Sequence, residues 1–75
     1  MDAAAAQAQI VRSLVDLLAV VPVMALEARG WQQRPATDAL VKAIYAFGGT
    51  RDDIDDAIAR GQENLRKWRA DRGAL

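Results

Sequence analysis

From Ile10 to Ala28 the apolar residues Ile10, Leu14, Leu17, Val21, Met24 and Ala28 step by four and three. A helix brings that spacing onto one face, whereas a half-buried strand would need alternation. Alanine, the strongest helix former, is abundant around this stripe, and Gly30 stands where a terminal glycine stops a helix. The pattern therefore predicts a first helix over 3–29. Pro22 falls inside it and offers no N–H to the Leu18 carbonyl, which predicts a kink there. A full break near Val21 into two shorter helices is the alternative.

Two further segments share the period. Trp31 to Pro35 reads as a loop, Pro35 suits the start of a helix, and Thr37 or Asp38 can cap it. This second helix spans 36–47, with Leu40, Ile44 and Phe47 as its stripe and Gly48-Gly49 as its end. Thr50 then caps a third helix over 50–72, and Asp53 holds the acid position of a capping box, with a shorter side chain than the usual Glu. Ile54, Ile58, Leu65 and Trp68 stay in phase across Gly61, so one continuous helix is expected. The fold class is all-α. Residues 1–75 form a single helical domain, a three-helix bundle or a folded helical hairpin.

A chain of 75 residues buries a small core and usually leans on a disulfide, a metal or a partner. Cysteine and histidine are both absent, which removes disulfides and the usual structural zinc ligands. No cofactor is expected. A protein partner, or a second copy in a homo-oligomer, is the remaining support. Ten Lys plus Arg balance ten Asp plus Glu, so no global field favours nucleic acid or anionic membrane. Met1-Asp2-Ala3 lacks the basic segment of a secretory signal. The longest uncharged apolar run, Leu17 to Leu26, has ten residues where a span needs ~20. A cytoplasmic protein with no membrane span is expected. Usage rich in Ala, Arg and Asp suits a GC-rich bacterial or phage genome.

The first helix is apolar on more than one face. Asp16, Val20, Val23 and Glu27 share a face, so two valines lie among polar positions. A helix apolar nearly all round is normally covered, and two shorter partners cannot easily cover it. Val20, Val23, Leu17 and Met24 are the candidate partner-binding residues. Trp31 joins them as a loop aromatic, while Trp68 reads as core.

The acids Asp52, Asp53, Asp55 and Asp56 sit in the first turns of the third helix, where the helix dipole favours them. Asp56 can pair with Arg60, and Glu63 with Lys67. No calcium-loop or metal-ligand signature accompanies the acids, and no metal site is expected. Catalysis is not expected either. The common general base and the thiol nucleophile are missing, and Ser13, Thr37, Tyr45 and Thr50 have no base at motif spacing. Gly48-Gly49-Thr50 has Gly49 where a phosphate loop needs lysine.

Thr50 to Arg69 resembles a helix-turn-helix DNA-binding motif. Ile54, Ala57 and Ile58 match the apolar positions of its first helix, and Leu65 and Trp68 those of its recognition helix. The resemblance implies a turn at Ala59-Arg60-Gly61 and a DNA-facing set of Asn64, Arg66, Lys67 and Arg69. Asp55 stands where the motif packs a small residue, and Ala59 where it usually has glycine. The expected function is a non-enzymatic helical interaction module, an oligomer, adaptor or inhibitor. A DNA-binding protein using residues 50–69 is the alternative, with Asn64 and Arg66 as first base contacts.

Overall fold

The computed structural model describes residues 2–28 and 31–73. They form three helices, α1 over Ala3–Glu27, α2 over Gln33–Ala46 and α3 over Arg51–Gly73, with no strand among the described residues. The helices run up, down and up. Asp16 meets Arg60, Ala19 meets Asn64 and Glu27 meets Trp68, so α1 and α3 are parallel, with α2 returning between them in sequence. Both α2 and α3 pack on α1 and barely touch each other.

Helix α1 begins on the Asp2 carboxylate, which accepts from the Ala4 N–H at 3.1 Å. It passes through Pro22 as one helix, so the two-helix alternative does not form. It ends at Glu27 with Ala28 as its cap. Arg29 and the expected terminal Gly30 lie outside the described residues.

Helix α2 starts three residues earlier than the sequence predicts, at Gln33, and uses neither Thr37 nor Asp38 as cap. Pro35 is its third residue. The N–H that Pro35 lacks is one that no helical carbonyl would have served, so the helix extends upstream of the proline without loss.

The end of α2 explains both glycines. Gly48 has φ +90° and donates to the Tyr45 carbonyl at 3.1 Å, while Gly49 donates to the Ile44 carbonyl at 2.8 Å. This is a Schellman cap, with Gly48 in the left-handed position. Gly49 is required for a different reason. A Cβ there would collide with the Ile44 Cγ2 and stand 2.8 Å from the Ile44 carbonyl oxygen. Gly49→Ala is therefore expected to cost ~1–3 kcal/mol, the usual range for overpacking. Urea denaturation of the purified variant checks it; an unchanged midpoint would contradict the close approach.

Helix α3 opens on a complete capping box. The Thr50 N–H donates to Asp53 Oδ2 at 2.7 Å, and the Asp53 N–H donates to Thr50 Oγ1 at 3.4 Å. The short Asp side chain thus closes the reciprocal bond. Helix α3 then continues without interruption to Gly73. The turn that a helix-turn-helix needs at Ala59-Arg60-Gly61 is absent.

Val15, Leu18 and Val21 of α1, Ile44 of α2, and Ile54 and Ala57 of α3 make the core, flanked by Val11, Leu14, Leu40 and Val41. On α1 the inward seam is not the one predicted. Leu14 and Val21 turn inward, but Ile10, Leu17 and Met24 are exposed. On α3 the inward line is Ile54, Ala57, Gly61, Asn64 and Trp68, with Ile58 left outside. Both helices satisfy the four-and-three spacing on more than one line. The contacting helix selects the line with the smallest residues where the backbones come closest.

That closest approach lies at Gly61. A Cβ at this buried glycine would stand 3.2 Å from the Pro22 Cγ and 3.4 Å from the Ala19 carbonyl oxygen. One turn on, the Asn64 amide donates to the same Ala19 carbonyl at 3.0 Å.

Candidate interaction surface

Of the five residues expected to meet a partner, four are exposed. Leu17 is 53% exposed, Val20 43%, Met24 45% and Trp31 39%. Val23 is the exception, being half-buried. It lies toward the side of α1 that α3 covers, seven residues from the paired Asp16. Ile10, predicted as core, is 41% exposed and completes the line. Ile10, Leu17 and Met24 are spaced by seven, and Ser13, Val20 and Glu27 fall between them by the same repeat. Together they form a second heptad seam on the outer face of α1. The sequence signal for Ile10 was present, since it shares the repeat of Leu17 and Met24.

Charged side chains gather along the flank of α1 that meets α3, where Glu27 turns from the end of the seam. Arg60 reaches across to Asp16 at 2.9 Å and back to Asp56 at 3.7 Å. At the upper end, the Trp68 indole N–H donates to Glu27 Oε1 at 2.8 Å. Arg72 lies 4.7 Å from the Trp68 ring centroid and 3.9 Å from Glu27. Trp68 is thus half-buried, a clasp between the ends of α1 and α3 rather than a core residue.

Glu63 pairs with Arg66 rather than with the expected Lys67, through contacts of 2.6 and 3.0 Å. Arg66 offers two guanidinium N–H groups in fork geometry, which a lysine cannot. The hydrogen bond to Arg66 holds the Glu63 carboxyl below its ordinary range. Any stability from this pair is present at neutral pH and fades as acid protonates Glu63.

These contacts revise the DNA-facing set. Asn64 is half-buried and spends its amide on Ala19, and Arg66 is engaged with Glu63, while Lys67 and Arg69 are exposed. The four side chains do not form one outward reading edge.

An open groove of about 680 Å³ runs between the first half of α1 and the start of α3. Val11, Val15 and Phe47 give it apolar lining, and Asp16, Asp56 and Arg60 line it as an ion-pair network. Among the described residues no group of three or more acidic, His or Cys side chains is placed to hold a metal ion.

The ten-residue uncharged run understates α1. The helix has 25 residues, and an 18-residue window within it has a mean hydropathy of 1.8. By length and composition it could cross a membrane, a property shared with core helices of water-soluble bundles. No known protein family, curated protein or solved structure matches the chain.

Proposed function

We propose that the chain is a small non-enzymatic module that binds another protein through the outer seam of α1. The observation that carries this reading is the exposure of Ile10, Leu17, Val20 and Met24 as one apolar line. The small core adds support, because a domain of this size gains stability from covering such a surface. An unpaired heptad seam accepts a helix, with side chains of one surface filling the gaps of the other. Trp31 stands just beyond the upper end of α1 as a further anchor.

The test is a photoreactive benzophenone side chain placed at Leu17, Val20 or Met24 and, as control, at Arg69. Irradiation in cells of the native host should give a discrete protein adduct from the three seam positions and none from Arg69. Absence of any adduct from the seam would overturn the reading.

A further inference from the structure

We infer that α2 is a releasable cover: it opens from α1 as a unit while α1 and α3 stay paired, and its opening bares Leu18 and Val21 of α1.

Little holds α2 to the rest. Ile44 is its one buried side chain, with Leu40 and Val41 half-buried beside it. It barely touches α3, so this small set against α1 is most of its attachment. Among the described residues no ion pair ties it to another helix. One side-chain hydrogen bond reaches its end from outside, an exposed one from the Gln7 amide to the Phe47 carbonyl at 2.7 Å. The contact of α1 with α3 is built differently. Ala19 and Ala57 are buried there, the backbones approach closely at Gly61, and Arg60, Asn64 and Trp68 each bond across to α1.

Helix α2 is also weak as a helix. It has 14 residues, a length at which an isolated helix is marginal in water. No side chain caps it, and Arg34 stands in its first turn, where the helix dipole disfavours a cation. Helix α1, by contrast, starts on the Asp2 carboxylate and α3 on the Thr50 and Asp53 box. That box lies beyond Gly48 and Gly49, so α3 keeps its own start when α2 is gone. Once off α1, α2 has little of its own to keep it helical, and detachment and local unfolding coincide. The paired α1 and α3 need only lie below the unfolded chain in free energy for this opening to precede global unfolding.

What the opening uncovers adjoins the outer seam. Leu18 and Val21 share a cleft of about 80 Å³ with Gln33 and Thr37 of α2. Val21 follows Leu17 by four and precedes Met24 by three. The open state therefore offers a wider apolar face than the closed one. That consequence rests on the seam being the binding surface; the opening itself does not.

Native-state hydrogen exchange of the full chain, followed by NMR, tests the opening. Corrected for intrinsic rates, amides 37–46 should exchange at least ~10-fold faster than the slowest amides of α1 and α3. The deciding variant is Asn64→Ala, which removes a bond that both the closed and the open state keep. It should speed the slowest amides of α1 and α3 by ~5-fold, the usual net worth of one hydrogen bond, and leave 37–46 unchanged. If Asn64→Ala does not fold, urea below the unfolding transition makes the same separation. Exchange at 37–46 should respond weakly to it and the slowest amides of α1 and α3 strongly, because a local opening exposes less surface. The chain has no native cysteine, so Val21→Cys can be labelled alone. Val21 is 4% exposed when α2 is closed, and the thiol should react through the same opening as 37–46.

Equal rates in the three helices, or an Asn64→Ala effect shared by 37–46, would make the bundle one cooperative unit and overturn the inference. So would a uniform urea response, or labelling of Val21→Cys that tracks the slowest amides. The photoreactive experiment reads the seam separately, so a failed opening and a failed binding surface give different results.

Discussion

Ile44→Ala should lower the melting temperature by ~10 °C or more and leave little folded protein at 37 °C. Ile44 is fully buried, the one large side chain among the described residues with no exposed surface. It belongs to the core cluster with Val15, Leu18 and Val21 of α1 and Ile54 and Ala57 of α3. Since α2 and α3 barely touch each other, this side chain carries much of what holds α2 in place. Truncating a buried isoleucine to alanine costs ~2–5 kcal/mol through lost transfer energy and the cavity left behind. A domain of this length has about 4–11 kcal/mol of stability at the usual per-residue value. For so short a chain each kcal/mol is worth ~4–8 °C. Thermal unfolding followed by circular dichroism checks the result. A loss of only a few degrees would mean that α2 collapses onto α1 and fills the gap.

Gly61→Leu should be similarly disruptive, by ~3 kcal/mol or more, while Gly61→Ala should be close to neutral. Helix propensity alone expects Gly61→Ala to gain ~1 kcal/mol, since glycine is that much worse in a helix interior. The new Cβ, however, would stand 3.2 Å from the Pro22 Cγ, whose ring is tied to the backbone nitrogen of α1 and cannot swing aside. The gain is spent on pushing two helices apart by a few tenths of an ångström. A leucine has no room at all, and wedging it in would part Asn64 from the Ala19 carbonyl and Arg60 from Asp16. Comparing the two variants in urea separates the effects. Clear stabilisation by both would show that α1 and α3 do not approach so closely.

The three helices were legible because each carries its own local signals. The capping box at Thr50 and Asp53, the glycine pair after Phe47 and the four-and-three spacing all act within a few residues. The start of α2 moved for an equally local reason, since Pro35 fits inside a first turn as well as at its start. The expected capping box of α3 closes because Asp53 reaches the Thr50 N–H despite its shorter side chain.

The candidate surface was legible in part. Leu17, Val20 and Met24 were found from the excess of apolar residues on α1, and Trp31 from its place in a loop. Ile10 was left in the stripe with Leu14, Leu17, Val21, Met24 and Ala28, of which only Leu17 and Met24 were also named for a partner. Asn64 was placed facing outward because the helix-turn-helix resemblance puts it in the DNA-facing set. Its bond to a main-chain carbonyl one helix away leaves no trace in sequence spacing.

The sequence by itself determined that the chain is helical, about where its helices stop and that α1 carries more apolar surface than the other two helices can easily cover. Those properties follow from hydrogen bonding and side-chain period within single segments. Only the tertiary structure decided which of two seams on α1 faces inward. Val15, Leu18 and Ala19 meet the small residues Ala57 and Gly61, and their contact sets how near the backbones come. Ile10, Leu17 and Met24 have the same heptad period and comparable hydrophobicity, so no local preference separates the two. The choice is made by shape between helices, because dispersion and burial reward the closest approach that the side chains allow.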